Sequence, residues 1–203
     1  MKEKKAGEKT QETSEAEKTQ EISEAEKTQE TKEKERGRLI RELCVYALVL
    51  AAVYIIFHYF VMLGRIPSES MEPTLMVHDW TVGNRLAYRK EAPERGDKII
   101  FYSHEEEESM CKRVIGLPGE TVSFVGGHVY IDGEPLDESA YLDESVETEG
   151  DEAFTVPEDS CFVLGDNREI SYDSRYWEEP FIQFDDIQCK IFFVLPFHKL
   201  PWF

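Results

Sequence analysis

The sequence predicts a mainly β domain behind one N-terminal transmembrane helix, and three observations carry that prediction. The first is an unbroken run, Leu43 to Leu63, in which every residue except His58 is apolar, aromatic or small. The second is the pattern beyond Arg65, where short apolar runs are punctuated by Gly, Pro and Asp, as strands and their turns are. The third is that no amphipathic stretch longer than two helical turns occurs outside the apolar run. The 203 residues suit one ordinary domain with extensions.

Residues 1–38 form a polar tail built on a nine-residue repeat: EKTQETSEA from Glu8, EKTQEISEA from Glu17 and EKTQETKEK from Glu26. The segment has no aromatic residue and one Ile, Ile22, too little apolar surface to offset the entropy of ordering. A solvated, partly helical or disordered tail without chemistry is expected, with a docking arm for a partner as the alternative reading.

Residues 39–64 are read as the anchor. As helix, the 21 residues of the apolar run span about 32 Å at ~1.5 Å per residue, the thickness of a bilayer core. The run begins some forty residues into the chain and is followed by Leu63, Gly64, Arg65, Ile66 and Pro67, which is neither the position nor the exit sequence of a cleaved leader. Lys32, Lys34, Arg36, Arg38 and Arg41 stand on its N-terminal side against Arg65 on the other. The positive-inside bias therefore puts the N-terminus in the cytoplasm and the following domain outside. His58, with Tyr54, Phe57 and Tyr59 around it, reads as an interfacial histidine.

Residues 65–203 are read as the extracytoplasmic domain. Strands are expected at 80–87, 98–102, 111–116, 121–125, 128–131, 154–155, 161–164 and 187–194. Gly126-Gly127 and Asp132-Gly133 supply two tight turns. Glu105 to Glu108 read as a solvated acidic loop. The end, Ile191 to Phe203, is a final strand and a short apolar tail broken by Pro196 and Pro201, too short to span but suited to touching lipid.

Beyond residue 64 there are 12 basic residues against 30 acidic ones, which argues against nucleic-acid binding through a phosphate-neutralising face. The five histidines, His58, His78, His104, His128 and His198, are scattered without zinc-ligand spacing, so neither a metal nor another cofactor is expected. Cys44 lies in the span; Cys111, Cys161 and Cys189 lie in the outer domain, where disulfides can form. Their apolar, strand-like contexts predict free buried thiols rather than a Cys161–Cys189 bridge.

Four segments carry chemistry-bearing residues: PSESMEPTL (67–75), RGDKIIF (95–101), KRVIGLPGE (112–120) and GDNREISYDSR (165–175). No histidine forms a familiar triad motif with a Ser and an Asp, so a serine nucleophile at Ser70 would need another base. Lys112, at the start of an apolar strand, is either a solvated edge charge or, where water is excluded, a neutral amine able to take a proton.

In this order, behind a membrane anchor, the four segments closely resemble the bacterial type I signal peptidases, membrane-bound Ser/Lys proteases that remove signal peptides from exported preproteins. The resemblance runs from the anchor to near the C-terminus. It implies a β catalytic domain like that of SOS-repressor self-cleavage domains, Ser70 as nucleophile and Lys112 as general base. It further implies an oxyanion hole from the Ser68 hydroxyl and the Ser70 backbone N–H, Ser171 orienting the lysine, and support of the site by Asp173 and Arg175. The resemblance also implies that Met71 and Pro73 shape the strand that presents Ser70. The chain carries Glu169-Ile170 where the commonest form of the last motif has Asp-Asn, positions without a catalytic role in the family. Cleavage after a small-x-small site is implied, with signal peptides and the bilayer as partners. Two other readings stay open at this level: a relative dedicated to one substrate, and a catalytically silent, membrane-tethered module that binds exported chains.

Overall fold

The computed structural model describes residue 32 and residues 34–199. The tail repeats up to residue 31 and the last four residues lie outside the described residues. Helix α1 (Lys34–Tyr59) is long and apolar enough to cross a membrane; it contains one Gly and no Pro, and Arg38 Nε donates to Glu42 Oε1 at 3.0 Å one turn on. The helix departs from the expected span of 39–64 at both ends. It takes in residues of the polar tail, and it stops at Tyr59, after which Val61–Arg65 form strand β1. Hydropathy cannot make that division. The end of the apolar run leaves the helix because β2 (Trp80–Asn84) offers a ladder, with Val61 opposite Asn84 and Arg65 opposite Trp80.

Nine further strands follow: β3 (Lys98–Ser103), β4 (Glu108–Gly116), β5 (Thr121–Val125), β6 (His128–Ile131), β7 (Glu134–Pro135), β8 (Phe154–Thr155), β9 (Ser160–Leu164), β10 (Phe181–Gln183) and β11 (Ile187–Leu195). They make a seven-stranded sheet ordered β1-β2-β11-β3-β4-β9-β10 and a four-stranded sheet ordered β7-β6-β5-β8. Every pairing is antiparallel. All eight expected strands are present. β2 is shorter than its apolar run because Asn84 Oδ1 takes the Leu86 N–H at 2.9 Å and turns the chain away. The short strands β7 and β10 have no apolar alternation long enough to read. Gly126-Gly127 (φ 58° and 81°) and Asp132-Gly133 (φ 51° and 86°) adopt the left-handed turn conformations that join β5 to β6 and β6 to β7. Glu105–Glu107 occupy the exposed β3–β4 turn, whereas Glu108 begins β4.

The alternation along β3 ties the two sides of the large sheet to separate cores. Ile99 and Phe101 join Val114, Cys161, Val163, Trp177 and Ile182. Ile100 joins Ile66, Met71, Leu75, Cys189 and Ile191. The second group matters for the site. Met71 and Leu75, 1% and 0% exposed, lie on either side of the Glu72-Pro73-Thr74 stretch, and their burial clamps the segment that carries Ser70 onto β3. All four cysteines are free, with Cys161 and Cys189 buried and Cys111 half-buried.

Candidate active site

Ser70 sits not on the expected strand but in a single 3-10 turn, Glu69–Met71, which the Glu72 N–H closes onto the Glu69 carbonyl. Its hydroxyl lies 3.3 Å from the Ser68 hydroxyl, and its carbonyl accepts the Asn167 N–H at 3.1 Å. The Asn167 side chain donates to the Glu69 carbonyl at 3.2 Å. The first and last motifs are thus fastened to each other through backbone groups.

Lys112 stands on β4 opposite Ile99 and is 1% exposed. It makes no ion pair among the described residues; its Nζ donates to Ser171 Oγ at 2.9 Å. Burial pushes the Lys112 ammonium below the ordinary lysine range. The Asp173 carboxylate and the Cys111 thiol pull the other way, and Arg175 adds to the lowering. Burial wins because both nearby carboxylates are already engaged: Asp173 with Arg175 at 2.8 Å and Asp166 with Arg113 at 2.6 Å.

Ser68, Ser70 and Lys112 line one cavity of about 140 Å³, with Ile66, Pro67, Met71, Ile100 and Cys111 among its apolar walls. The hydrogen bonds of Ser70 and Lys112 go to their serine neighbours, and none between the two side chains occurs among the described residues. A larger depression of about 760 Å³, walled by Glu72, Glu147, Glu149 and Glu169 among others, contains none of the three.

Gly165 shows how tightly the last motif is packed here. A Cβ on it would lie 2.1 Å from Ser171 Oγ and 2.4 Å from the Ser70 carbonyl oxygen, so those two atoms are no more than about 4.5 Å apart. The Asp173 carboxylate accepts the Gly165 N–H at 2.9 Å, and Arg175 donates to the Arg168 carbonyl at 2.9 Å and the Ser171 carbonyl at 3.3 Å. The Asp173–Arg175 pair, buried in both members, therefore fixes the two ends of the loop that carries Ser171. Inside that loop, Ser171 N–H donates to the Asn167 carbonyl at 2.9 Å. Buried Arg168 binds the Gly165 carbonyl, Thr148 and Glu138. The departure at Glu169-Ile170 leaves these bonds untouched, because the loop is held by residues 165, 167, 168, 173 and 175.

Sequence reasoning missed Arg113. Its guanidinium makes a bidentate, buried pair with Asp166 (2.7 and 2.6 Å) and donates to the Gly96 carbonyl at 2.8 Å and to Thr74 Oγ1 at 3.3 Å. It joins all four motifs at one point. The only sequence signal was a second basic residue inside an apolar strand. The RGDKIIF segment is structural: Arg95 holds the Ile115 carbonyl and Glu120, and Asp97 receives Tyr88 and Lys190.

The sequence pattern of the family described as signal peptidase, peptidase S26, matches residues 37–196. This chain belongs to the S26 signal peptidase family. Its relatives include a signal peptidase I of Leptolyngbya laminosa, 47% identical over 121 residues, which is 55% of this chain and 58% of the relative. A probable signal peptidase I-2 of Synechocystis sp. is 41% identical over 118 residues, 55% of this chain and 53% of the relative. The match thus spans just over half the length of these two relatives. A solved signal peptidase I from Enterococcus faecalis V583 is 33% identical, covering 50% of this chain and 98% of that one with a TM-score of 0.43.

Proposed function

We propose that this S26 family member is a membrane-bound signal peptidase I that removes N-terminal signal peptides from exported preproteins by Ser/Lys amide hydrolysis. The observation that carries this reading is Lys112: a lysine 1% exposed, without an ion pair among the described residues, bonded to a serine hydroxyl and sharing one cavity with Ser68 and Ser70. Burial disfavours the charged form of such an amine and so favours the neutral form that can accept a proton.

In this reading Lys112 takes the proton of Ser70 Oγ as the hydroxyl attacks the scissile carbonyl. The developing oxyanion is received by the Ser68 hydroxyl and the Ser70 N–H. Lys112, now protonated, returns that proton to the departing amine, and a water activated in the same way releases the acyl group. Ser171 orients the amine of Lys112, and Asp173 with Arg175 supports the loop that carries Ser171. The 140 Å³ cavity suits the small side chains before the cut, since a bulky residue would clash.

The division into a polar tail (1–38), an anchor (39–64) and a peptidase domain (65–203) belongs to the same proposal, with the tail cytoplasmic and the domain on the other face of the cell membrane. The charge asymmetry around α1 supports that orientation. An anchor raises the effective concentration of enzyme at precursors whose apolar segments sit in the bilayer.

The experiment is cleavage of a precursor with an Ala-x-Ala site by the detergent-solubilised chain under a chelator, beside Ser70→Ala and Lys112→Ala. Cutting after the second Ala by the wild type alone, with both variants folded, is the expected result. Inertness of the wild type on several precursors, or full activity of Lys112→Ala, overturns the mechanism.

A further inference from the structure

Ile170 and Tyr172 flank Ser171 in the chain, and while Ser171 is buried both neighbours are exposed, at 54% and 46%. Neither belongs to the lining of the 140 Å³ cavity. Tyr172 is nonetheless held from several sides. Its ring stacks on Tyr176 at 6.2 Å with an interplanar angle of 7° and meets the edge of Trp177 at 6.4 Å. Its hydroxyl donates to Glu105 Oε1 at 3.4 Å. Glu105 is in turn fixed by the Glu179 N–H at 3.2 Å. A rigid, exposed aromatic beside an exposed aliphatic residue is a contact surface with little ordering cost left for binding.

The chemistry proposed above decides what passes over this surface. The leaving amine must come within hydrogen-bond reach of Lys112 Nζ, which is 2.9 Å from Ser171 Oγ. The residue that bears this amine, the first after the cut, therefore emerges beside the residues next to Ser171. In the same reading the small residues before the cut occupy the 140 Å³ cavity, whose lining includes neither Ile170 nor Tyr172. Charge narrows the choice further. Glu105 holds the Tyr172 hydroxyl and takes the Glu179 N–H, which brings the exposed acidic stretches Glu105–Glu106 and Glu178–Glu179 to the ring, and Glu169 is exposed next to Ile170.

Resting on the peptidase reading, we propose that Ile170 and Tyr172 form a lip that contacts the first or second residue of the released chain, taking an apolar side chain and rejecting an acidic one. The apolar preference comes from burying that side chain against Ile170 and the Tyr172 ring. The rejection comes from the like charge of the exposed carboxylates Glu105, Glu106, Glu169 and Glu178. The lip is a specificity element and takes no part in bond breaking.

The test uses the full chain in detergent and peptides with an Ala-x-Ala site in which the first and then the second residue after the cut is Leu, Ala or Asp. The readout is the ratio of kcat/KM values within each protein form, so that a general loss of activity cancels. The wild type is expected to favour Leu over Asp by about tenfold, an effect of the size a few contacts and like charges produce at a partly exposed site. Ile170→Asn is expected to lower the Leu:Ala ratio several-fold, and Glu105→Gln with Glu178→Gln to raise the Asp:Ala ratio, as does high salt. Equal ratios in the wild type, or ratios unmoved by both variants, overturn the lip. Binding of the same peptides to Ser70→Ala, read by fluorescence anisotropy, separates the two claims. A ranked affinity without any cleavage by the wild type sinks the peptidase reading and keeps the lip; cleavage with unranked affinities and ratios does the reverse.

Discussion

Gly165→Ala is the sharpest perturbation of the site. The new methyl would lie 2.1 Å from Ser171 Oγ, 2.6 Å from Ser171 Cβ and 2.4 Å from the Ser70 carbonyl oxygen. Ordinary contact lies near 3.4–4 Å, so each neighbour must retreat by about 1 Å. One of them is backbone and another is the hydroxyl that holds Lys112, so no flexible side-chain tip can absorb the movement. Displacement of about 1 Å between reacting groups costs on the order of 100-fold in rate. Overpacking costs about 1–3 kcal/mol of stability, which lowers the melting temperature by a few degrees in a domain of this size. The assay is kcat/KM on an Ala-x-Ala peptide, with near-UV circular dichroism and thermal unfolding in parallel. Gly116→Ala is the control: its methyl would lie 2.5 Å from Val122 and 2.9 Å from Val156, in a third buried apolar cluster that joins Ile115, Phe162 and Leu164 to Val122, Val129 and Val156. The expected outcome is comparable destabilisation in both variants and a collapse of kcat/KM in Gly165→Ala alone. Rate loss of less than about tenfold in a folded Gly165→Ala protein would show that the Ser70–Ser171 approach does not govern the reaction.

Four further outcomes follow from the same geometry. Because the folded Lys112 has its pKa lowered while the unfolded lysine is ordinary, the unfolded state binds more protons between the two values. Stability therefore rises with pH across that window below 10.5, and Lys112→Met should gain most over the wild type in denaturant titrations on the acid side. The wild-type kcat/KM should climb through the same lowered pKa. Asp166→Asn leaves Arg113 buried without its carboxylate and should cost about 3–5 kcal/mol in urea unfolding; a change near zero would mean that Gly96 and Thr74 suffice to hold the guanidinium. Burial pushes the Cys111 and Cys161 thiols up to about 12 and Cys189 to about 11. A thiol reagent at pH 8 should accordingly modify these three slowly in the native protein and all four cysteines after denaturation; rapid reaction of Cys161 would contradict its burial.

Much of the molecule is legible in the chain itself. Apolar runs of strand length, bounded by Gly-Gly and Asp-Gly, locate eight of the eleven strands among the described residues, because turn chemistry and burial are local demands. The residues Ser68, Ser70, Lys112, Ser171, Asp173 and Arg175 are visible as ordered motifs. Other features depend on partners distant in sequence. The run 43–63 has one composition but two conformations, since only the presence of β2 turns Val61–Arg65 into a strand. Whether Lys112 is a solvated edge charge or a buried amine is likewise undecidable from its neighbours in the chain. Its burial and its bond to Ser171, 59 residues away, are products of folding. The same holds for Arg113, whose partners in the three other motifs, Thr74, Gly96 and Asp166, are spread over residues 74 to 166. The sequence by itself determined the element types and the inventory of reactive groups, because those depend on local pattern and side-chain chemistry. Tertiary structure alone decided which groups lose water and which carboxylates are already paired. Desolvation and Coulomb interactions depend on distances that the order of residues does not contain.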